Sequence, residues 1–373
     1  MILLKKIVLF LFILLFAKAS YTQETCKNDT DAMKIKGTWK KIPDANMHAD
    51  KNLTLIINRI DKIGTLCQEA DPEPPGVQVK WYRTMERDPL IKDGPVPYQF
   101  NAYYYPWYCD DNHNIVLSVA TEAHEYAFVN RFGWFVSDQY DLLSIKVNGN
   151  NVYLLPPEKG TWKGYTLYQN YTHENLNFCV LLTHDYKHEP LLKPITQEEY
   201  LYAVRTAWEA QKKLAIDNYM QYEVGMKKGI VDVQNNKYAT EDAKKTIIAG
   251  MQQALDDYEK TKETKISESN KLFDDKISVI DRYIKQDSAT LQQPAVIDRN
   301  MMNDFTGSFS TIGTGGQTLA CFNPAYFNLQ LPRYVPQFIV LEWRWENKIQ
   351  GLSFKQQFET NFPIEKLQEM IDK

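Results

Sequence analysis

The chain has 373 residues, 44% of them hydrophobic, and a formal net charge of −4 at neutral pH. This length is enough for two or three domains and for a core that needs no disulfide bridges. Proteins that bind nucleic acid carry a basic face, which this mildly acidic composition does not indicate. We therefore expect no nucleic-acid partner.

The N-terminus has the three parts of a secretory signal peptide. Lys5 and Lys6 precede an apolar run over residues 7–16, and Ala17-Lys18-Ala19 follows it. This pattern predicts cleavage between Ala19 and Ser20 and a periplasmic or secreted mature chain, with an uncleaved anchor as the alternative. The run is too short to cross a bilayer, and no later segment is apolar enough, so we expect no membrane span in the mature chain.

Five cysteines follow the predicted signal: Cys26, Cys67, Cys109, Cys179 and Cys321. In an oxidising compartment, the simplest arrangement is two bridges and one spare thiol, and the alternative is that all are buried free thiols. Their spacing fits neither a metal site nor a redox pair. The pairing itself stays open at this level.

Residues 20–193 are predicted to form a β-rich domain. Residues 77–81 alternate apolar and polar side chains, as a strand with one buried face does. The Asn148-Gly149 step lies between strand-like residues 145–147 and 152–154, and it favours the positive φ angles of a tight hairpin. Many short strands at such spacing indicate an antiparallel sandwich or a barrel-like domain.

Residues 194–292 are predicted to form a long antiparallel helical hairpin. Thr196 and Glu199 have the spacing of a capping box, and Thr240 precedes a second acidic helix start. The second helix has apolar residues at coiled-coil-like spacing: Ile248, Met251, Leu255, Tyr258, Phe273, Ile277, Ile280 and Ile284. Its centre is polar, so we expect the hairpin to serve for association with a partner, with packing inside the chain as the alternative.

Residues 293–373 return to a strand pattern and end in a short helix near Pro363. Residues 338–343 form the most apolar strand of the sequence and need neighbours on both sides. We expect this segment to complete the β-rich domain, which makes the helices an insertion. The predicted fold class is therefore α+β, a β sandwich or barrel-like domain with an inserted antiparallel helical hairpin.

Three short segments, 194–201, 323–327 and 336–339, resemble secreted proteins of unknown function from Bacteroidetes-type bacteria. The resemblance covers the C-terminal half of the chain. It implies secretion and brings no activity, cofactor or site residue with it.

A weak metal-site candidate lies at residues 184–188. His184 and His188 have the two-histidine spacing of zinc peptidases, with Asp185 in place of the usual glutamate. That motif requires a helix, whereas a predicted strand precedes it and Pro190 follows. A polar connection between elements is the preferred interpretation, and we expect neither a metal nor another cofactor.

The most unusual composition is the aromatic run over residues 103–108. Tyr103, Tyr105 and Trp107 alternate along a predicted strand and are the candidate ligand-binding residues, with core and cross-strand packing as the alternative. The sequence contains no serine-nucleophile motif. We expect a non-catalytic binding or interaction protein for a ligand or protein partner, and a secreted hydrolase of carbohydrate or peptide is the alternative.

Overall fold

The computed structural model describes residues 26–136, 145–169, 176–184, 189–298 and 305–373. The predicted signal peptide and its cleavage site at Ala19 and Ser20 lie outside these ranges. The chain divides into two compact units. The first comprises the described residues of Met1–Phe135, Glu158–Asp185 and Phe327–Lys373, and the second those of Val136–Pro157 and Tyr186–Tyr326.

The elements of each unit have the following bounds. The first unit contains helices α1 (Asp29–Ala32), α2 (Leu53–Ala70), α6 (Ile349–Asn361) and α7 (Ile364–Gln368), and strands β1 (Thr38–Lys41), β2 (Val77–Met85), β3 (Tyr98–Cys109), β4 (Ile115–Leu117), β5 (His124–Val129), β8 (Glu158–Trp162), β9 (Tyr165–Tyr168), β10 (Asn177–Leu182) and β14 (Ile339–Arg344). The second contains helices α3 (Gln197–Gln234), α4 (Glu241–Tyr283) and α5 (Ser288–Leu291), and strands β6 (Lys146–Val147), β7 (Asn150–Leu154), β11 (Leu192–Pro194), β12 (Val296–Ile297) and β13 (Gln317–Phe322).

The first unit is built on a sheet of nine strands. Its order is β1-β2-β3-β5-β14-β10-β9-β8, with β4 paired to β3, and every pairing except β1 with β2 is antiparallel. Strand β14, which contains most of the predicted apolar strand, lies between β5 and β10, and all its residues are buried. A continuous hydrophobic strand is typical of such an interior position.

One face of this sheet forms the hydrophobic core together with α2, α6 and α7. Because side chains alternate along a strand, only every second residue reaches this face. The largest fully buried members include Phe100, Trp343, Phe358, Ile60 and Ile63. Helix α2 lies inside the predicted β-rich domain of residues 20–193, where the sequence analysis identified only strands. It buries Ile56, Ile60, Ile63 and Cys67, which follow the three-four spacing of a helix face.

The second unit has a sheet of five strands, with the order β11-β13-β7-β6 and β12 paired to β13. The predicted hairpin is confirmed, because β6 and β7 pair antiparallel around Asn148 and Gly149, whose φ angles are 50° and 80°. The observed units divide the chain differently from the predicted boundaries at 193 and 293. The unit that contains the helical hairpin also includes residues 145–157, 293–298 and 305–326. These segments form one sheet, because β7 and β12 both pair with β13.

Helices α3 and α4 form the predicted antiparallel hairpin. Thr196 Oγ1 accepts a hydrogen bond from the Glu199 amide at 3.1 Å, while the Glu199 carboxylate accepts one from the Thr196 amide at 2.9 Å. This reciprocal pair is the predicted capping box. Arg205 pairs with Asp281, and Lys212 pairs with Asp274. Residues later in α3 therefore contact residues earlier in α4, as in an antiparallel pair. The α+β class, with antiparallel sheets and a long inserted helical region, is thereby confirmed.

The five cysteines form one bridge, not the two that the count favoured. Cys26 and Cys109 are joined at a sequence separation of 83. Cys67 and Cys179 are buried free thiols, and Cys321 is a partly buried one. Among the described residues, the structure contains no helix with both the length and the apolar character needed to cross a membrane.

Candidate ligand-binding surface

Strand β3 presents different side chains to the two faces of its sheet. Tyr104 and Pro106 are buried on the core side. The predicted ligand-binding residues Tyr103, Tyr105 and Trp107 alternate with them and are partly exposed on the opposite side. The structure therefore brings all three onto one surface through the two-residue period of the strand.

Neighbouring strands extend this surface with further rings. Tyr103 contacts Tyr82 of β2 with parallel rings and centroids 6.0 Å apart, and it contacts Tyr126 of β5 edge to face at 5.7 Å. Trp134, which is 45% exposed, meets Tyr126 edge to face at 5.8 Å. We call the set Tyr82, Tyr103, Tyr105, Trp107, Tyr126 and Trp134 the aromatic face.

Two phenols of the aromatic face, those of Tyr82 and Tyr126, have a raised pKa and remain un-ionised at neutral pH. The Tyr126 hydroxyl donates a hydrogen bond to the Tyr103 hydroxyl at 2.7 Å. Burial raises the pKa of both Tyr126 and Tyr82, and the neighbouring Tyr103 raises it further. These groups can therefore act as both donors and acceptors of hydrogen bonds at this surface.

A buried histidine and glutamate lie beside the rings. His124 stacks on Tyr126 with centroids 4.1 Å apart, and its Nε2 is 3.6 Å from Glu342 Oε1. Within the described ranges, His124 Nε2 has no hydrogen-bond partner. Glu342 pairs in register with Cys179 of β10. Burial raises the pKa of the Cys179 thiol well above its ordinary value, and the negative charge of Glu342 raises it further. A protonated thiol is a poor nucleophile, so this arrangement does not activate Cys179.

The cations beside the aromatic face contact other side chains. Lys80 Nζ lies 4.0 Å from the centre of the Tyr105 ring. Arg344, at the C-terminal end of β14, forms an ion pair with Glu122. A ligand at this surface therefore meets rings and neutral hydroxyls, and the nearby cations already have partners.

The opposite face of the sheet encloses a pair of buried acids. The Tyr104 hydroxyl donates to Glu125 Oε2 at 2.9 Å, and Glu125 has no solvent exposure. Burial raises the pKa of Glu125 to about 7, opposed by contacts from Cys67 and Tyr104, and burial also raises the pKa of Asp71 to about 6. These carboxyls lie in the core and are not accessible to a ligand.

The metal-site candidate is only partly described. His184 Nδ1 lies 2.5 Å from Asp372 Oδ2, and the His184 side chain is 4% exposed. Asp185 and His188 lie outside the described residues. In the part of the chain that the structure covers, histidines, cysteines and acids form no group of three that could hold a metal ion.

The sequence did not single out Tyr126, Trp134, His124 or Glu342. Alternation along β5 puts Tyr126 on the same face as His124, but only the register of β5 against β3 and β14 brings Tyr103 and Glu342 to them. No protein-family model, curated protein or solved structure matches the chain. Function is therefore inferred from the chemistry of the aromatic face.

Proposed function

We propose that this chain is a non-catalytic binding protein that works outside the cytoplasm and holds a neutral, polyhydroxylated ligand of the carbohydrate class on its aromatic face. The observation that carries the proposal is the contrast among the aromatic residues of β3. Packing accounts for Tyr103, which contacts two other rings. Within the described residues, Tyr105 and Trp107 are partly exposed and have no aromatic ring partner.

The chemistry of the surface favours a sugar over a charged ligand. The flat, apolar C–H face of a sugar ring packs on aromatic side chains, while its hydroxyls exchange hydrogen bonds with un-ionised phenols. Of the two nearby cations, Lys80 lies over the Tyr105 ring and Arg344 pairs with Glu122. The Cys26–Cys109 bridge supports a location in an oxidising compartment, as the signal pattern also predicts.

The binding test uses purified protein from Ser20 onward and a panel of linear neutral hexasaccharides, namely cellohexaose, maltohexaose and mannohexaose. Saturation-transfer NMR identifies a ligand, and calorimetry then gives its affinity. The variant Trp107→Ala should weaken binding about tenfold or more, because a stacking contact contributes about 1 kcal/mol beyond the area it buries.

The matched control is Tyr108→Ala. Tyr108 is on the same strand and is 41% exposed, but it alternates away from the aromatic face. Its substitution should leave affinity unchanged. If none of the hexasaccharides binds, or if Trp107→Ala and Tyr108→Ala affect binding equally, the proposed function is wrong.

The His124–Glu342 pair favours the hydrolase as the second candidate function. The His124 Nε2 atom lies 3.6 Å from Glu342 Oε1 without a hydrogen-bond partner, and a histidine beside a carboxylate can act as a general base if a substrate reaches it. Incubation of the same hexasaccharides and of a casein digest with the protein should release no new products under our proposal. Products that disappear in His124→Ala would establish the hydrolase instead.

A further inference from the structure

A group of buried polar side chains beside the aromatic face has hydrogen-bonding capacity that the fold leaves unused. His124 of β5 pairs in register with Arg344 of β14, and Glu342 lies two residues before Arg344 on the same side of that strand. All three residues are at most 8% exposed. Within the described part of the chain, His124 Nε2 and Arg344 Nε are buried without a hydrogen-bond partner. Such atoms destabilise the free protein, and a ligand group that bonds to them removes this cost.

The spacing of His124 and Glu342 fits one hydroxyl group. His124 Nε2 lies 3.6 Å from Glu342 Oε1, which is too long for a hydrogen bond between them. A hydroxyl oxygen can lie about 2.8 Å from both atoms, the usual length of its hydrogen bonds. It would donate to the Glu342 carboxylate and accept from His124 Nε2–H, so both functions of the hydroxyl are used.

Other ligand groups fit this position less well. The Glu342 carboxylate repels an anion, although Arg344 is its neighbour on β14. A metal ion needs further ligands, and no group of three histidines, cysteines or acids that could hold one occurs among the described residues. A neutral hydroxyl is therefore the group that the pair accepts best.

The Trp134 ring packs on His124 from outside the sheet. It meets the rings of His124 and Tyr126 edge to face, with both centroid distances at 5.8 Å. The other rings described next to His124 are those of Tyr103 and Tyr126, which belong to strands paired on both sides. Trp134 instead follows β5 in a turn and is 45% exposed. A change of the Trp134 rotamer, which is rapid for exposed side chains, would open a path to His124 with the sheet unchanged.

We infer that His124 and Glu342 together bind one hydroxyl group of the ligand on the aromatic face, which reaches them when the Trp134 ring is displaced. This inference rests on the proposed function and adds the residues that set its specificity. Aromatic rings accept the apolar face of many sugars, whereas a hydroxyl held by two partners must have one position and direction. A sugar without that hydroxyl leaves both buried groups unpaired, so His124 and Glu342 select among neutral sugars.

The test measures binding of cellohexaose, maltohexaose and mannohexaose to the full chain from Ser20 onward by calorimetry. His124→Phe keeps the ring that stacks on Tyr126, and Glu342→Met fills similar space without oxygen atoms. For a hexasaccharide that binds the parent, each variant should raise the dissociation constant about tenfold or more, because hydrogen bonds to charged or buried groups are strong. The double variant should be at most about twofold weaker than either single one, since both groups bind the same hydroxyl.

A second measurement on the parent does not depend on how the variants fold. In protein labelled with ¹⁵N at histidine, the Nε2 resonance of His124 should move when the same hexasaccharide is added to saturation. A direct hydrogen bond changes this nitrogen, whereas a purely structural role of His124 leaves it unchanged. Circular dichroism should show the same secondary structure in every variant.

Cys179→Ala is the matched control. Cys179 is buried and pairs in register with Glu342, but it lies on β10, on the side of β14 away from His124. Its truncation should leave the affinity unchanged. If no hexasaccharide binds the parent, the proposed function and this inference are both wrong. The inference alone is overturned if Trp107→Ala weakens binding while His124→Phe and Glu342→Met do not, if the Nε2 resonance stays in place at saturation, or if Cys179→Ala causes an equal loss.

Discussion

Replacing Glu125 by Gln should change how stability depends on pH. Glu125 is fully buried, and burial raises its pKa to about 7 from an ordinary 4.5. The folded state therefore keeps this proton at pH values where the unfolded chain has lost it. The resulting stabilisation is complete below about pH 4.5, declines as the pH rises to about 7, and is absent above it.

The magnitude follows from the interval between those two pKa values. Each pH unit of difference corresponds to about 1.4 kcal/mol, so Glu125 should account for about 3 kcal/mol across the interval. Gln keeps the acceptor for Tyr104 and does not titrate. The free energy of unfolding of Glu125→Gln, relative to that of the parent, should therefore rise by about 3 kcal/mol between pH 4.5 and pH 8.

Urea denaturation at a series of pH values measures this relative free energy. Asp71 and all other titrating groups are present in both proteins, so their contributions largely cancel in the comparison. A constant difference between the two proteins across the whole pH range would refute the raised pKa of Glu125. If the free energy of unfolding of Glu125→Gln relative to the parent fell as the pH rose, the direction of the pKa shift would be wrong as well.

Two further predictions concern local stabilising features. Cys26→Ser with Cys109→Ser should lower the free energy of unfolding by about 4.5 kcal/mol in the chain-entropy view, because the bridge closes a loop across a sequence separation of 83. An unchanged urea denaturation curve would contradict this prediction. Thr196→Ala should cost about 1 kcal/mol through loss of the cap to Glu199, whereas Thr264→Ala, an exposed mid-helix control, should not. Equal midpoints for these two variants would show that the cap is energetically silent.

The helical hairpin was the part of the fold most accessible from sequence, because its signals are local. The capping box at the start of α3 needs only Thr196 and Glu199 at their spacing. The tight turn between β6 and β7 was equally accessible, because it needs only Asn148 and Gly149. Helix α2 carried an equally local signal, the spacing of its buried isoleucines, but the surrounding strand patterns obscured it.

The division into units was less accessible because it depends on pairing between distant segments. Strand β13 pairs with both β7 and β11, which joins residues on either side of the helical insertion. Strand β14 pairs instead with β5 and β10. Strand β13 has partly exposed residues and β14 is buried throughout, but neither pattern specifies which partner strands each one takes.

The aromatic run over residues 103–108 shows how far alternation alone can distinguish core residues from candidate binding residues. It correctly separates Tyr104, which faces the core, from Tyr103, Tyr105 and Trp107 on the other side. It does not distinguish among those three, because the distinction depends on what the adjacent strands place beside each ring. Register supplies Tyr103 with ring neighbours on both sides, whereas Tyr105 receives Lys80. Cross-strand packing therefore explains Tyr103, and Trp107 remains the residue whose partly exposed ring most needs another explanation.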